Sequence, residues 1–324
     1  MTFHNGADLP YSGLKLLGKT GDGGQGEVHA VGGPGDLLYK SYREPHKVDG
    51  SSLAALVAYR QALAAADRDR LDAETAWPLC RVLDAGTVTG FLMRRAPATT
   101  NWRTPKGDTK LIELSYLLRE PKAAWQAVPQ PEPGARLAIA VALAGLFGRL
   151  HAAGLVVGDL SQSNVLWTLT PEPAVFLLDC DGIRLVGRPA VLDQADTPDW
   201  HDPLAPPGTA TVDSDRYKAS LMIGRVLMRD AYAHPGRPMA PLPGVLDDRR
   251  EAAVRGLWAR AAGPRGSRPD LGQWQTALAG RETIKLIAAA PAPRPAVDRS
   301  MFDTARRRGT IQLNGRGEGP GQPA

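Results

Sequence analysis

The stretch that most constrains the fold of this chain is residues 150–181, which read LHAAGLVVGDLSQSNVLWTLTPEPAVFLLDCD. Three short apolar runs alternate here with polar turns, a spacing that predicts short buried strands. Asp159 and Asn164 lie in the loop between the first two runs, and Asp179 follows the third run directly. The pattern therefore predicts polar side chains at the ends of buried strands, facing one cleft.

These residue types suit phosphoryl transfer. That reaction needs a carboxylate to accept the proton of the attacking hydroxyl, and oxygen ligands for Mg²⁺. Asp159 fits the first role, and Asn164 with Asp179 fits the second. Asp181 could also bind the metal or could cap a turn, and the position of Asp179 directly after the apolar run favours Asp179. The alternative, that Asn and Asp simply form turns, explains one of these residues but not the ordered set.

A glycine-rich segment near the N-terminus, GDGGQGEV, contains Gly21, Gly23, Gly26 and Val28. Glycines allow the backbone to approach phosphates closely. A dinucleotide-binding fold would require a helix directly after the glycines, whereas this sequence continues as a predicted strand. A plain glycine turn is the alternative.

Lys40 lies in the apolar run that follows, where a lysine is well placed to reach nucleotide phosphates. The alternative is an edge-strand lysine that blunts aggregation.

The remaining chain divides into a strand-rich first part, a helical second part and a polar tail. Strands are predicted at 13–19, 27–31, 37–42, 80–85, 90–93, 156–157, 165–168 and 175–178. Helices are predicted at 51–66, with Ser51 or Ser52 as N-cap, and at 111–120, 135–152, 213–233, 247–262 and 270–280. The sequence thus predicts an α+β fold.

Charge and apolar patterning exclude several classes of protein. Residues 286–324 hold +3 of the net charge of +5, so a nucleic-acid surface across the folded part is not expected. The apolar run 137–147 is too short to cross a bilayer and predicts a buried helix. Residues 1–10 do not resemble a signal peptide, and the two cysteines fit a reducing compartment, so a cytoplasmic protein is predicted.

Over residues 14–280 the chain resembles the eukaryotic-like protein kinase superfamily. The resemblance implies a bilobal fold with a small β-rich N-lobe at 11–95 and a larger helical C-lobe at 96–285. The Pro-, Arg- and Gly-rich composition of 286–324 predicts a disordered tail. The resemblance also implies ATP and Mg²⁺ as cofactors. The implied site residues are Gly21, Gly23, Gly26 and Lys40 at the phosphates, Val28, Leu38 and Met93 around the adenine, Asp159 and Asn164 in the catalytic loop, and Asp179 or Asp181 at the metal. Asp215 is expected to hydrogen bond the backbone of the catalytic loop.

The activity that this resemblance implies is phosphorylation of Ser or Thr on a protein substrate. Two departures leave alternatives open, since Ser161 replaces the usual catalytic-loop lysine and the first predicted helix contains no glutamate to orient Lys40. Gln61, Asp67 and Glu74 are the candidates to replace that glutamate, and another way of holding Lys40 is the alternative. A nucleotide-binding pseudokinase scaffold and a small-molecule phosphotransferase are the alternative functions, the latter because of the tripeptide Gly-Asp-Leu at 158–160.

The tripeptide at 76–78 and the segment 90–93 resemble a divergent bacterial subgroup of these kinases. That similarity implies a phosphatase or a von Willebrand-type protein as partner. No membrane and no specific nucleic acid are expected as partners.

Overall fold

The computed structural model describes residues 8–193 and 197–280. The strands are β1 (Leu9–Pro10), β2 (Leu16–Asp22), β3 (Gly26–Val31), β4 (Leu37–Tyr42), β5 (Cys80–Asp84), β6 (Thr87–Arg94), β7 (Asn101–Arg103), β8 (Thr109–Leu111), β9 (Leu155–Val156), β10 (Val165–Thr168), β11 (Ala174–Leu177) and β12 (Arg184–Leu185). The helices are α1 (Gly50–Ala62), α2 (Ala65–Glu74), α3 (Pro133–Ala152), α4 (Val212–Met228), α5 (Asp248–Ala261) and α6 (Leu271–Leu278). The predicted α+β class is confirmed. The predicted tail, 286–324, lies outside the described residues.

A six-stranded sheet forms the N-terminal part, in the order β1-β5-β6-β4-β3-β2. Its neighbours pair antiparallel except for β1 and β5, which are parallel. The five strands predicted in this region are all present, with shifted ends. Lys40 lies on the central strand β4, opposite Val28 of β3 and Phe91 of β6. Because β4 has a hydrogen-bonded neighbour on each side, the position of the Lys40 backbone is fixed by two strands.

The predicted helix 51–66 is two helices, because Leu63 and Ala64 adopt extended backbone angles between α1 and α2. The N-cap of α1 is Asp49, not the predicted serines, and its carboxylate accepts hydrogen bonds from the backbone N–H groups of both. The two helices are joined by Arg60 of α1 and Asp72 of α2, a buried ion pair with Nε–Oδ1 at 2.6 Å.

The prediction of a helix at 111–120 is wrong. This segment ends β8 and then forms a short 3-10 helix, Leu114–Leu117. The backbone instead pairs with β10: Ile112 accepts a hydrogen bond from Trp167 N at 3.1 Å, and Glu113 forms a bridge with Leu166. Leu114, Leu117 and Leu118 are buried in the core, so their helix-like spacing reflects burial rather than an α-helix.

The C-terminal part is built around α3, which packs against α4 and α6. Its inner face is buried, as predicted, and includes Arg136, whose guanidinium donates to the carbonyls of Leu117 at 2.9 Å and Val226 at 2.8 Å. The helix has 20 residues and exceeds the apolar run on which the prediction rested. By length and composition alone it could also cross a membrane, so α3 carries no information on localisation.

Candidate functional site

The loop at 157–164 connects β9 to β10 and carries Asp159 and Asn164. Gly158 has φ +79°, a left-handed conformation that favours glycine. Asp215 of α4 accepts hydrogen bonds from the backbone N–H groups of Val157 at 2.6 Å and Gly158 at 2.9 Å. The hydrogen bond predicted for Asp215 is therefore confirmed, and it fixes the start of the loop to α4.

Two further contacts support this loop, one made directly to it and one made to Asp215. Lys218, which is 3% exposed, donates to the carbonyl of Gly158 at 3.0 Å. His151, at the end of α3, lies 3.2 Å from the Asp215 carboxylate. The histidine thus has the structural position expected from its place at the end of a buried helix.

Both carboxylate oxygens of Asp159 have hydrogen-bond partners. Asn164 Nδ2 donates to Asp159 Oδ2 at 3.0 Å and to the Asp159 carbonyl at 2.9 Å. The hydroxyl of Thr197 donates to Asp159 Oδ1 at 3.0 Å. Because the Asn164 NH₂ group is directed at Asp159, its side-chain oxygen is the atom available to a cation.

Lys40 meets Asp179 and Asp181 across the molecule. Its ammonium nitrogen lies 2.7 Å from Asp181 Oδ1 and 3.5 Å from Asp179 Oδ1. The side chains of Lys40 and Asp181 are 5% and 2% exposed, whereas that of Asp179 is 53% exposed. Asp179 is therefore the carboxylate open to a ligand, while Asp181 anchors the lysine.

A tight turn after β11 creates this arrangement. Asp179 has φ +51°, and its carbonyl accepts a hydrogen bond from Gly182 N at 3.0 Å. The turn directs two carboxylates that are two residues apart at the same lysine. Cys180 between them is fully buried, and burial raises the pKa of its thiol well above the ordinary value, so this side chain serves packing.

The sequence left the partner of Lys40 open. The structure shows that this partner is not Gln61, Asp67 or Glu74. Glu74 pairs instead with Arg149 at the base of α3, at 2.5 Å. Among the described residues, the ion pairs of Lys40 are those with Asp179 and Asp181. The lysine is held by the turn after β11, not by a helix.

The electrostatics of the cluster favour a charged lysine. Burial by itself would lower the pKa of Lys40, but the carboxylates of Asp181 and Asp179 outweigh it and raise the pKa. The pKa of Asp179 is raised because desolvation disfavours its charged form. The positive charge of Lys40 opposes this effect, and the Asp181 carboxylate raises the pKa further. Burial, together with the charge of Asp181, raises the pKa of Tyr42 well above its ordinary value. A cation placed beside Asp179 would be attracted by a site that already concentrates negative charge.

The glycine-rich segment forms the turn between β2 and β3. A Cβ on Gly26 would lie 2.1 Å from the Ser41 carbonyl of β4, so this glycine is required for strand packing. A Cβ on Gly23 would meet nothing closer than 3.8 Å, and one on Gly21 nothing closer than 3.5 Å. The fold thus explains why residue 26 is a glycine, but it does not explain the other two predicted phosphate-loop glycines, Gly21 and Gly23.

Of the three residues predicted to lie around an adenine, Leu38 and Met93 are directly opposite each other on β4 and β6. Both are buried. Val28 lies on β3 opposite Lys40, one strand away. The predicted nucleotide-binding residues therefore share neighbouring strands of the same sheet.

The donor types at the site fit Mg²⁺, which prefers one or two carboxylates and completes its shell with phosphate and water oxygens. Asp179, half-exposed, and the side-chain oxygen of Asn164 supply such donors, and Asp181 is engaged with Lys40. Within 8–193 and 197–280, no group of three or more His, Cys, Asp or Glu residues could hold a metal ion by itself. A cation here would thus depend on ligands from a bound phosphate.

Two residues of the site were not predicted. Lys218 lies one helical turn after Asp215, so its position on the same face of α4 could have been inferred from the spacing. Thr197 lies in a Pro- and Asp-rich segment without periodicity, and nothing in the sequence pairs it with Asp159.

The chain matches none of the protein-family models against which it was compared, and no curated protein is significantly similar to it. The geometry and chemistry of the site therefore carry the functional argument alone.

Proposed function

We propose that this protein is an ATP- and Mg²⁺-dependent protein kinase that transfers the γ-phosphate to Ser or Thr of a protein substrate. The observation that carries this proposal is the grouping of Lys40 with Asp179 and Asp181, next to the paired Asp159 and Asn164. Lys40 comes from β4, whereas the other four residues lie within 159–181, where Leu178 N donates to the Asn164 carbonyl at 2.8 Å.

In the proposed reaction the substrate hydroxyl oxygen attacks the γ-phosphorus, and the bond from that phosphorus to the β–γ bridging oxygen breaks. ADP leaves, and the hydroxyl proton passes to the Asp159 carboxylate. The hydrogen bonds from Asn164 and Thr197 orient this carboxylate. Positioning of this kind lowers the barrier because little other covalent chemistry is required of the protein.

The cation-binding side of the site would consist of Asp179 and the side-chain oxygen of Asn164. Mg²⁺ bound there supplies positive charge that neutralises the phosphate oxygens. Lys40 adds a second positive charge, and Asp181 fixes its ammonium group at 2.7 Å. Lys218, next to the Gly158 carbonyl, adds a buried positive charge close to the loop that contains Ser161.

The fold proposed with this function is bilobal, with 11–95 as the β-rich lobe and 96–285 as the helical lobe. Support comes from the six-stranded sheet with α1 and α2, followed by the helices α3 to α6. Lys40 belongs to the first part and Asp159 to the second, so a nucleotide would bind where the two parts meet.

The test is transfer of labelled phosphate from ATP to candidate proteins by Asp159→Asn. We expect a loss of about a hundredfold or more, because the variant cannot accept the proton. Asp69→Asn, an exposed aspartate on α2, is the matched control and should keep the wild-type rate. Equal transfer by wild type and Asp159→Asn would refute the proposed activity.

A nucleotide-binding scaffold without turnover is the second candidate. It is favoured by the engagement of Lys40 with Asp179, a predicted metal ligand, since this pair must loosen before both groups can contact Mg²⁺ and phosphate. Stabilisation by ATP without phosphate transfer to any partner would support the scaffold.

A further inference from the structure

A cavity of about 620 Å³ lies between the hairpin β7–β8 and the residues that follow it. We call it the 102–125 pocket. Its walls include the short 3-10 helices Leu114–Leu117 and Ala123–Trp125. This is the region in which the predicted helix 111–120 is absent, and the irregular backbone is what leaves the space open.

Three aromatic rings form one wall of the pocket. Trp102 and Tyr116 contact edge to face, with ring centroids 5.6 Å apart, and Tyr116 and Trp125 lie 4.6 Å apart. Trp102 is buried and fixed on β7, so this wall is rigid. Aromatic surfaces of this kind bind peptide segments with little loss of side-chain entropy.

The charged residues of the lining are mostly positive. It includes Lys106, Lys110, Arg119 and Lys122, against the single acidic residue Asp108. Lys110 is directly opposite Trp102 in the β7–β8 register, so both side chains lie on the same face of the hairpin. The pocket therefore suits a ligand with negative charge.

The pocket also contacts the loop at 157–164. Arg119 Nη1 donates to the side-chain oxygen of Gln162 at 3.3 Å, and Gln162 lies between Asp159 and Asn164 in the sequence. The Arg119 guanidinium also lies 5.9 Å from the ring centroid of the exposed Tyr232. A peptide whose hydroxyl reaches Asp159 could thus continue past Arg119 into the pocket.

We propose that the 102–125 pocket binds an anionic side chain, carboxylate or phosphate, that flanks the target hydroxyl of the substrate peptide. This inference rests on the proposed kinase function and specifies its substrate class as acidic. Charge complementarity argues for the anion, and the Arg119–Gln162 contact argues for a substrate peptide rather than an unrelated ligand. Single-stranded nucleic acid, which also binds aromatic and basic surfaces, is the rival occupant that the experiment must exclude.

The experiment measures binding of fluorescent peptides to the full chain by anisotropy at low salt. One peptide carries a serine flanked by glutamates, a second carries phosphoserines in place of the glutamates, and a third carries glutamines. We expect the two anionic peptides to bind and the glutamine peptide to bind about tenfold or more weakly. The relative affinity of the glutamate and phosphoserine peptides identifies which anion the pocket prefers.

The double variant Lys110→Glu/Lys122→Glu should weaken binding of the anionic peptides by about tenfold or more, because it reverses two charges of the pocket. Both lysines are exposed, so the fold should persist. The control Lys47→Glu/Arg265→Glu changes the net charge equally at exposed sites outside the pocket and should leave binding unchanged. Equal weakening by both double variants, or binding of an oligonucleotide but of no acidic peptide, would overturn the inference.

Phosphate transfer to the same peptides distinguishes a failure of the proposed kinase activity from a failure of the pocket assignment. Binding of acidic peptides by the pocket without any transfer would refute the kinase activity and keep the pocket assignment. Transfer at equal rates to the glutamate and glutamine peptides, unchanged by Lys110→Glu/Lys122→Glu, would keep the activity and refute the pocket assignment.

Discussion

Asp215 is a single residue on which the shape of the loop at 157–164 depends. Its carboxylate is fully buried, accepts hydrogen bonds from two consecutive backbone N–H groups and contacts His151. A carboxylate can accept from all three donors at once, whereas an amide places an NH₂ group against some of them.

We therefore expect Asp215→Asn to lower the free energy of unfolding by about 2 kcal/mol, because a buried donor is left without an acceptor. The proposed phosphate transfer should fall with it, since the loop carrying Asp159 is displaced. Urea unfolding and a transfer assay check both effects, with Asp69→Asn as the control on an exposed surface. A variant as stable as wild type would contradict this role of Asp215.

For single residues, the sequence predicted which polar side chains belong to the site but did not predict the partner of Lys40. The grouping of Asp159, Asn164 and Asp179 followed from their order and spacing, whereas the hydrogen bond of Asp215 followed from the family resemblance. The Lys40–Asp181 contact did not, because it joins residues 141 positions apart and depends on how the chain folds back. A contact of such separation leaves no local pattern in the sequence.

The turn between β2 and β3 is an element in which neighbouring glycines have different reasons to be there. Gly26 allows β3 to approach β4, while Gly23 has space around its α-carbon. The same motif therefore combines a packing requirement with a position that is free to serve a ligand.

Gly26→Ala should lower the free energy of unfolding by more than about 2 kcal/mol, because the new methyl group would overlap the Ser41 carbonyl and force the strands apart. Gly23→Ala should leave stability within about 0.5 kcal/mol of wild type and weaken ATP binding if the turn covers phosphates. Chemical denaturation compares the two variants directly. Equal stability losses would show that both glycines serve packing.

The pair of helices α1 and α2 depends on the buried ion pair between Arg60 and Asp72. Burial alone would raise the pKa of Asp72, but the hydrogen bond and charge of Arg60 outweigh it and lower the pKa below 3.8. A carboxyl whose pKa is lowered by folding stabilises the folded state above its unfolded pKa, and loses that contribution as the pH falls through the folded value.

Asp72→Asn should therefore cost about 3 kcal/mol at pH 7, because it removes the negative charge of Asp72 from its buried contact with Arg60. The difference from wild type should narrow as the pH falls below about 3.8, where Asp72 begins to be protonated in the unfolded state. Urea unfolding from pH 7 to pH 3 measures it, with Asp69→Asn on the same helix as the control. A difference that stayed constant over this range would contradict the ion-pair explanation.

The segment after the sheet marks the limit of pattern-based prediction at the scale of elements. Its leucines at 114, 117 and 118 have helical spacing, yet the backbone pairs with β10 and turns through short 3-10 helices. Local spacing reports which residues are buried and cannot report that a distant strand offers backbone partners. For the same reason, the sequence did not predict the 102–125 pocket.

At the scale of the molecule, the α+β class was predictable because the predicted strands and helices are present in the expected order, apart from the helix at 111–120. The start of α1 at the Asp49 cap and the break between α1 and α2 were not, since Leu63 and Ala64 adopt extended backbone angles within an Ala-rich run of helical composition. Ligand binding, by contrast, can be tested on the folded chain as a whole.

ATP with Mg²⁺ should raise the melting temperature of the wild-type chain by about 5 °C at a concentration one hundred times the dissociation constant, because ligand binding to the folded state alone adds about 2.7 kcal/mol. Asp179→Asn, at a half-exposed position, should keep its own melting temperature and lose most of the Mg²⁺-dependent part of the shift. Differential scanning fluorimetry with and without Mg²⁺ makes the comparison. An undiminished shift in the variant would remove Asp179 from the proposed metal site.

The contact between Lys40 and the turn after β11 also has a consequence for synthesis on the ribosome. The lysine emerges early, but both of its carboxylate partners, Asp179 and Asp181, follow about 140 residues later. During that interval the nascent β-sheet carries a cation that cannot yet be neutralised, so burial of the β4 strand must await much of the second half of the chain. A ribosome stalled before residue 179 would thus hold a sheet in which Lys40 still lacks both of its carboxylate partners.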